Sequence, residues 1–273
     1  IEIDGLQIHY LSGGGESSTL VLIHGGGTDS ASLSWGPAMD ELASTCRVIA
    51  PDLPGFGESD KPRISYTLEY YTHFLKRFTQ ELDLGSFSLG GLSMGGQISL
   101  NFALQFSCLV MRLILVGSAG LGTKLRWQAL GRLGSQIPGL QESVRKTAAR
   151  SPRTIKWSLQ LLLHNQQRVT DELVHELSRA IAVLGAGRAW RSYLANEMDY
   201  SGFRHGLVER LAEITLPTLI LHGANDKFIP VRWAKKAHQL MPNSKLSIFP
   251  ECGHWLPREK TAEFTHQVLE FLS

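Results

Sequence analysis

The sequence predicts an α/β fold with a mostly parallel central sheet that is flanked by helices and interrupted by a helical cap insertion. Short apolar runs alternate with segments of helical periodicity over residues 19–117, as in parallel βαβ units. Between residues 121 and 212 only helical periodicity is found, and the sheet pattern resumes at Pro217. We therefore predict a core domain formed by residues 1–120 and 213–273, with residues 121–212 forming a cap.

The predicted strands are apolar runs that end at turn-forming residues. Two short strands, Ile1–Ile3 and Gln7–Leu11, flank an Asp4-Gly5 turn and predict a hairpin. Longer continuous apolar runs predict strands that are covered on both faces. These runs are Thr19–Ile23, Arg47–Ala50, Phe87–Leu89, Leu113–Gly117, Pro217–Gly223 and Lys245–Phe249.

Capping residues mark the starts of the predicted helices. Thr67 precedes apolar residues at helical spacing, and Gly85 would end that helix. Within the insertion, Ser151-Pro152 and Thr170 precede two more such segments, and Trp190 belongs to a third. Further helices are predicted at Gln97–Leu104, at Val231–Leu240 and around Phe264–Leu272.

Composition narrows the range of partners. The 273 residues are 43% hydrophobic and 19% charged, with a formal net charge of +2. Neither a basic face nor an apolar run of bilayer-spanning length occurs, so we expect no nucleic-acid partner and no membrane partner. The segment Ile1–Gly5 lacks the pattern of a signal peptide. A small molecule is the expected partner, and oligomeric state is not encoded in any pattern that we find.

Three cysteines, Cys46, Cys108 and Cys252, stand at irregular spacing. They match no metal-ligand pattern, and we expect neither a metal nor another cofactor. We expect the three to be buried free thiols, which fits a reducing compartment and predicts a cytoplasmic location.

The stretch Gly91–Gly95 reads Gly-Leu-Ser-Met-Gly between a predicted strand and a predicted helix. In that setting Gly-x-Ser-x-Gly is typical of a nucleophile elbow, a tight turn that holds a serine at the head of a helix. We expect Ser93 to adopt a sparsely populated backbone conformation and the glycines to let strand and helix approach each other. A Gly/Ser-rich loop produces so short a pattern by chance, so the assignment depends on a base and an acid elsewhere.

A serine nucleophile needs a histidine base and an acid that orients it. Asp226 follows the Pro217–Gly223 strand and His254 follows the Lys245–Phe249 strand, so both lie at the sheet edge where α/β folds collect their sites. The order Ser93, Asp226, His254 is that of a triad in this fold. Alternatively, Asp226 is a turn former and His254 a capping or surface residue. Weaker candidates are His238 and His266 on helices and Asp199 inside the insertion.

Attack by serine creates an oxyanion, which requires N–H donors. The N–H of Met94, directly after the nucleophile, is one predicted donor. The glycine-rich loop after the Thr19–Ile23 strand supplies the other, and we choose Gly26, with Gly27 as the near alternative. A phosphate-binding loop is the competing interpretation, but no Gly-Lys-Ser/Thr follows.

With these motifs in place, the chain resembles α/β-hydrolases over essentially its full length. The motifs are His24–Gly27, Asp52–Ser59, Gly91–Gly96, Gly223–Asp226 and Gly253-His254. The resemblance implies a largely eight-stranded sheet, a Ser-Asp-His site and a helical cap between the sixth and seventh strands.

Individual motif residues also distinguish between subfamilies of the α/β-hydrolases that this chain resembles. Dehalogenases and epoxide hydrolases of this superfamily carry Asp at the elbow, where this chain has Ser93. Carbon–carbon hydrolases of aromatic meta-cleavage products share the Ser-Met-Gly-Gly and Cys-Gly-His-Trp stretches. They typically have Asn before the nucleophile, where this chain has Leu92, and a cap arginine that binds a substrate carboxylate. The position of that arginine corresponds approximately to Leu177 in this chain, and Arg179 is out of register with it.

Three hypotheses follow. The first is a carboxylic-ester hydrolase that works through an acyl-enzyme on Ser93. The second is a carbon–carbon hydrolase of vinylogous 1,5-diketone acids. The third is a receptor-like binder with slow or no turnover. Trp255, beside His254, is a candidate wall of the substrate pocket. Apolar cap residues that either set specificity or simply pack are Trp157, Leu161, Trp190 and Tyr193.

Overall fold

A seven-stranded sheet forms the centre of the protein. The computed structural model describes residues 1–15, 18–123, 151–199, 202–204 and 207–273. In chain order the strands of this sheet are β3 (Tyr10–Gly13), β4 (Thr19–Ile23), β5 (Arg47–Pro51), β6 (Phe87–Leu92), β7 (Val110–Val116), β8 (Thr218–Gly223) and β9 (Ser244–Phe249). A separate two-stranded hairpin consists of β1 (Glu2–Ile3) and β2 (Leu6–Gln7).

The strand order is β3-β5-β4-β6-β7-β8-β9, and every neighbouring pair is parallel except β3 with β5. In the register, Ile23 lies beside Gly91, and Leu92 lies beside Val116. The loops that follow β4, β6 and β7 therefore leave the sheet at one edge. The predicted mostly parallel α/β fold is confirmed.

The core lies on both faces of this sheet because side chains alternate along each strand. Along β4, Val21 and Ile23 belong to one apolar cluster, whereas Leu20 and Leu22 belong to the other. All four side chains are fully buried. This double burial explains why the central strands are uninterrupted apolar runs.

Helices cover both faces. They are α1 (Ala31–Ala43), α2 (Leu68–Glu81), α3 (Met94–Gln105), α4 (Pro152–Leu162), α5 (Asp171–Ala182), α6 (Arg188–Glu197), α7 (Val231–Leu240), α8 (Leu256–Glu259) and α9 (Thr261–Leu272). Three predicted caps are confirmed: the side chains of Thr67, Ser151 and Thr170 each accept a hydrogen bond from the first turn of the helix that follows.

The predicted end of α2 at Gly85 is wrong. The helix ends at Glu81, and the chain turns away through Asp83, whose φ of 49° is in the left-handed region. Aspartate tolerates that conformation better than most side chains, so no glycine is needed at the turn.

The implied eight-stranded sheet is also corrected, because the described residues give seven strands. The Asp4-Gly5 turn, with positive φ at both residues, closes β1 onto β2, and this hairpin pairs with no strand of the main sheet. The helical segment between β7 and β8 consequently follows the fifth strand of the sheet rather than the sixth.

The predicted cap at residues 121–212 coincides with this helical segment where it is described. It contains α4, α5, α6 and the 3₁₀ turns Gln166–Arg168 and Val208–Glu213. Residues 124–150 of that prediction lie outside the described part of the chain. The division into core and cap domains stays a prediction.

The expectation of three buried thiols is met by Cys46 and Cys252 but is wrong for Cys108, which is exposed. Cys108 lies in the 3₁₀ turn Ser107–Leu109, which carries the chain over the surface from α3 to β7. None of the described helices has both the length and the apolar composition required to cross a bilayer.

Candidate active site

Ser93 occupies the junction between β6 and α3 in a strained backbone conformation, with φ 53° and ψ −112°. Three backbone hydrogen bonds hold it there. Its N–H donates to the Val116 carbonyl at 2.9 Å, and its own carbonyl accepts from Gln97 at 3.1 Å and Ala119 at 3.0 Å. A side chain rarely adopts positive φ unless its surroundings impose it, and this network does so.

The glycines of the motif are required by the close approach of strand and helix. A Cβ on Gly91 would lie 2.2 Å from the carbonyl oxygen of Gly95, and a Cβ on Gly95 would lie 2.2 Å from that of Ile23. Both contacts are far inside van der Waals distance and involve backbone atoms that cannot rotate away. Only glycine fits at either position.

Asp226 and His254 meet at the same sheet edge. His254 Nδ1 lies 2.7 Å from Asp226 Oδ2. The other carboxylate oxygen, Oδ1, accepts from the N–H groups of Phe228 at 2.8 Å and Ile229 at 2.9 Å. These bonds fix the carboxylate, which in turn fixes the imidazole with a proton on Nδ1.

Each member of this pair also shifts the pKa of the other. Burial favours the neutral carboxyl, but the adjacent His254 and the backbone donors outweigh it and lower the pKa of Asp226. Burial alone would lower the pKa of His254, but Asp226, with a smaller contribution from Asp29, raises it above the ordinary value of 6.5. The imidazole is thus prepared to accept a proton at Nε2.

His222 is a second histidine at this carboxylate, and no sequence pattern pointed to it. The fully buried ring of His222 places Nε2 2.9 Å from the Ile229 carbonyl and 3.5 Å from Asp226 Oδ2. The bond to a carbonyl oxygen requires the proton on Nε2. Burial lowers the pKa of His222, so the ring stays neutral and supports the loop that carries Asp226 through its bond to Ile229.

Ser93 and His254 open onto one cavity of about 480 Å³. Its wall is mostly apolar, and among the described lining residues no Lys or Arg occurs and Asp29 is the only carboxylate. Ser93 Oγ has no hydrogen-bond partner among the described residues, so the hydrogen bond to the imidazole that the mechanism requires is not formed in the structure. Such contacts are often long before substrate binds.

The predicted oxyanion donors, Gly26 and Met94, both line this cavity. Within the described residues, neither of their N–H groups donates a hydrogen bond. The neighbouring Gly25 N–H is already used, because it donates to Asp29 Oδ2 at 2.8 Å. Gly27, the alternative donor, also lines the cavity and has a φ of 85°.

Comparison with known proteins decides the family. Residues 18–261 match the family described as alpha/beta hydrolase fold. The chain belongs to this family. It is 31% identical over 262 residues to a 2-hydroxy-6-oxo-2,4-heptadienoate hydrolase of Pseudomonas putida, covering 95% of this chain and 90% of that one.

Two solved structures extend the comparison. A meta-cleavage product hydrolase from Pseudomonas fluorescens superposes with a TM-score of 0.81 at 25% identity, covering 98% of this chain and 94% of that one. A bacterial membrane phospholipase A superposes with a TM-score of 0.82 at 27% identity, covering 100% and 84% of the two chains.

Residues from the helical segment complete the cavity of this α/β-hydrolase. Of the four apolar cap residues for which the sequence left lining and simple packing open, Trp157, Trp190 and Tyr193 line the cavity and Leu161 does not. Leu177 lines it at the position expected for a cap arginine, while Arg179 lines a second cavity of about 320 Å³. The interpretation of Arg179 as out of register stays a prediction.

Trp190 packs directly on the glycine-rich loop His24–Gly27. A Cβ on Gly26 would lie only 2.4 Å from the Trp190 ring. The ring stacks on Tyr193, whose hydroxyl donates to Gln97 Oε1 at 3.1 Å. Gln97 Nε2 is buried without a partner in the described part of the chain. Gln97 and Asp29 are lining residues that sequence reasoning missed.

Trp255, the predicted pocket wall, does line the cavity and is buried. Its indole Nε1 donates a long, 3.5 Å hydrogen bond to Ser34 Oγ, and the Arg258 guanidinium lies 5.6 Å from its ring centre. These contacts, made away from the cavity, fix the orientation of the Trp255 ring and leave its face toward the cavity apolar.

Proposed function

We propose that this α/β-hydrolase cleaves uncharged carboxylic esters through an acyl-enzyme, with Ser93 as nucleophile, His254 as base and Asp226 as the orienting acid. The observation that carries the proposal is a strained serine on the same cavity as an imidazole that bonds a buried carboxylate. The mechanism requires neither a metal nor a cofactor.

In the first half-reaction, Ser93 Oγ attacks the ester carbonyl and its proton passes to His254 Nε2. The resulting imidazolium is stabilised by Asp226 and gives the proton to the departing alcohol. Water then attacks the acyl-enzyme, with His254 again accepting the proton, and the acid is released. The raised pKa of His254 favours the proton-accepting step.

The oxyanion formed in both half-reactions is assigned to the N–H groups of Gly26 and Met94. Their lack of any other acceptor supports this assignment, because unpaired donors are available to developing charge. Met94 also opens α3, so its N–H lies at the positive end of that helix. Each donor contributes about 10²–10³ in rate in comparable sites.

The character of the cavity supports an uncharged ester as substrate. The largely apolar wall, which includes Leu92 and Leu177, contains no described Lys or Arg to neutralise a substrate carboxylate, and Asp29 would repel one. Burying an unpaired charge there would be costly. The similarity to a phospholipase A is consistent with ester cleavage.

The test is Ser93→Ala assayed on p-nitrophenyl esters of increasing acyl length. We expect turnover to fall to background while the circular dichroism spectrum and melting temperature stay close to wild type. Equal activity of wild type and variant would refute the assignment of the nucleophile.

A second candidate is carbon–carbon hydrolysis of vinylogous 1,5-diketone acids. The specific observation in its favour is the name of the relative that is 31% identical over nearly the whole chain. The names of the curated relatives favour this candidate over ester hydrolysis, whereas the described cavity wall favours the ester. The same serine, histidine and carboxylate would serve either reaction.

One matched assay separates the two. The ratio of kcat/KM for p-nitrophenyl butanoate to that for 2-hydroxy-6-oxo-2,4-heptadienoate should greatly exceed one in wild type. Leu177→Arg would supply the missing cation and should move the ratio toward the dienoate. A wild-type preference for the dienoate would establish the second candidate. Failure of a fluorophosphonate to label Ser93, together with turnover of neither compound, would instead indicate the receptor-like binder.

A further inference from the structure

Asp29 places an acidic side chain unusually close to the nucleophile. It lies in the wall of the catalytic cavity. Asp29 Oδ2 and Ser93 Cβ are 2.8 and 3.7 Å from the point that a Cβ on Gly25 would occupy, so they are within about 6.5 Å of each other. A charge at that distance would exert an electrostatic force on the acyl group of an ester bound at Ser93.

The hydrogen bonds around Asp29 are those of an ionised carboxylate. Oδ2 accepts from Gly25 N–H at 2.8 Å and from Ser34 Oγ at 2.6 Å, and Oδ1 accepts from Ser30 N–H at 2.8 Å. Three donors converge on it, and no described group accepts a proton from it. Burial raises the pKa of Asp29 above its ordinary value of 3.8, and His24 and these donors offset that rise only in part.

No cation neutralises this carboxylate from the cavity side. The described residues that line the catalytic cavity include neither Lys nor Arg. Lys61 and Arg179 lie in the wall of the second cavity, which Asp29 also lines, but among the described residues neither forms an ion pair with Asp29. Charges act over ~10 Å at physiological ionic strength, which exceeds the separation of at most about 6.5 Å between Asp29 Oδ2 and Ser93 Cβ. An anionic group close to Ser93 would therefore experience the field of Asp29.

We propose that Asp29 is a specificity-determining residue that excludes substrates with an anionic acyl group and so reserves the site for neutral esters. The proposal rests on ester hydrolysis at Ser93 and names the substrate class of that reaction. Asp29 acts through charge, without contributing to bond making.

A purely structural role is the competing explanation. Asp29 braces Gly25 in the oxyanion loop and bonds Ser30, the cap of α1. If that were its whole role, replacing it would slow neutral and anionic substrates by the same factor. The ratio of the two rates therefore distinguishes charge from bracing, whereas either rate alone would not.

The test compares p-nitrophenyl esters of glutaric acid and 5-methylhexanoic acid, which carry a carboxylate and an isopropyl group at the same position. Asp29→Asn should raise kcat/KM for the anionic ester relative to the neutral one on the order of tenfold. The matched control is Asp52→Asn. Asp52 also supports the start of α1, accepting from Ala31 N–H at 2.7 Å, but it lines only the second cavity. This control should leave the ratio unchanged.

Salt dependence provides a second measurement, whose main part is made on the wild-type protein. Raising ionic strength screens Asp29 and should increase the relative rate of the anionic ester in wild type but not in Asp29→Asn. An unchanged ratio in Asp29→Asn together with a salt-independent wild-type ratio would overturn the proposal. If neither ester is hydrolysed, the proposed function fails separately. The charge preference is then measured from the rates at which neutral and anionic phosphonate probes label Ser93.

Discussion

Replacing Ser93 by glycine and by alanine tests whether the nucleophile is held under strain. Both variants lose the hydroxyl, which has no hydrogen-bond partner among the described residues, so the loss itself should cost little stability. They differ in tolerance for a φ of 53° with a ψ of −112°. Glycine adopts such conformations freely, whereas alanine has the same Cβ clash as serine.

The expected difference follows from two opposing effects. Relief of an unfavourable backbone conformation stabilises the glycine variant by about 1–3 kcal/mol. The extra freedom of glycine in the unfolded chain removes about 0.4–1 kcal/mol. We therefore expect Ser93→Gly to be more stable than Ser93→Ala by roughly 1 kcal/mol, or about 2–4 °C in melting temperature for a domain near this size.

Thermal and urea unfolding, monitored by circular dichroism, measure this difference directly. Both variants should be inactive, and Ser93→Ala should melt close to wild type. A glycine variant that melts at or below the alanine variant would refute the argument that the turn stores strain at the nucleophile.

Three further predictions concern the loop, the base and the thiols. Gly26→Ala should lower kcat on the order of 10², since its Cβ would strike Trp190, and adding Trp190→Ala should restore part of the loss; no rescue would contradict this cause. The acidic limb of kcat/KM should lie above pH 6.5, because His254 must be neutral to accept a proton and its pKa is raised. Asp226→Asn should move that limb to lower pH while slowing turnover, and an unmoved limb would exclude His254 as the titrating base. Iodoacetamide should label Cys108 alone in the native protein, since burial shields the other two thiols and raises their pKa; mass spectrometry checks this, and double labelling before unfolding would contradict it.

Local patterns predicted most of the fold because local physics determines it. Thr67 and Ser151 cap helices as predicted, since a side-chain oxygen beside unpaired N–H groups stabilises a helix start in any context. The central strands were visible as apolar runs because both faces of the sheet are covered. The first hairpin was harder, since nothing local determines whether a short strand joins the main sheet.

The part of the candidate site that sheet topology determines could be predicted from the sequence. Asp226 and His254 follow strands whose carboxyl ends share an edge with the elbow, and their 2.7 Å contact is a consequence of that geometry. His222, Gln97 and Asp29 were missed for the opposite reason. Each matters through contacts with residues that no local pattern identifies, as when Gln97 meets Tyr193 from 96 positions along the chain.

The helical segment that lines the cavity is also hydrogen-bonded to His254, the proposed base. The backbone N–H of His254 donates to the carbonyl of Leu162, the last residue of α4, at 2.8 Å. A Cβ on Gly253 would lie 2.4 Å from that oxygen, so glycine permits the contact. Glu259 joins the same two segments, accepting from Gly253 N–H at 2.7 Å and from Asn165 N–H. Because one end of α4 bears on the loop that carries the imidazole, a change that shifts this helix must disturb His254 together with the pocket. We therefore expect substitutions in α4 to alter kcat as well as KM.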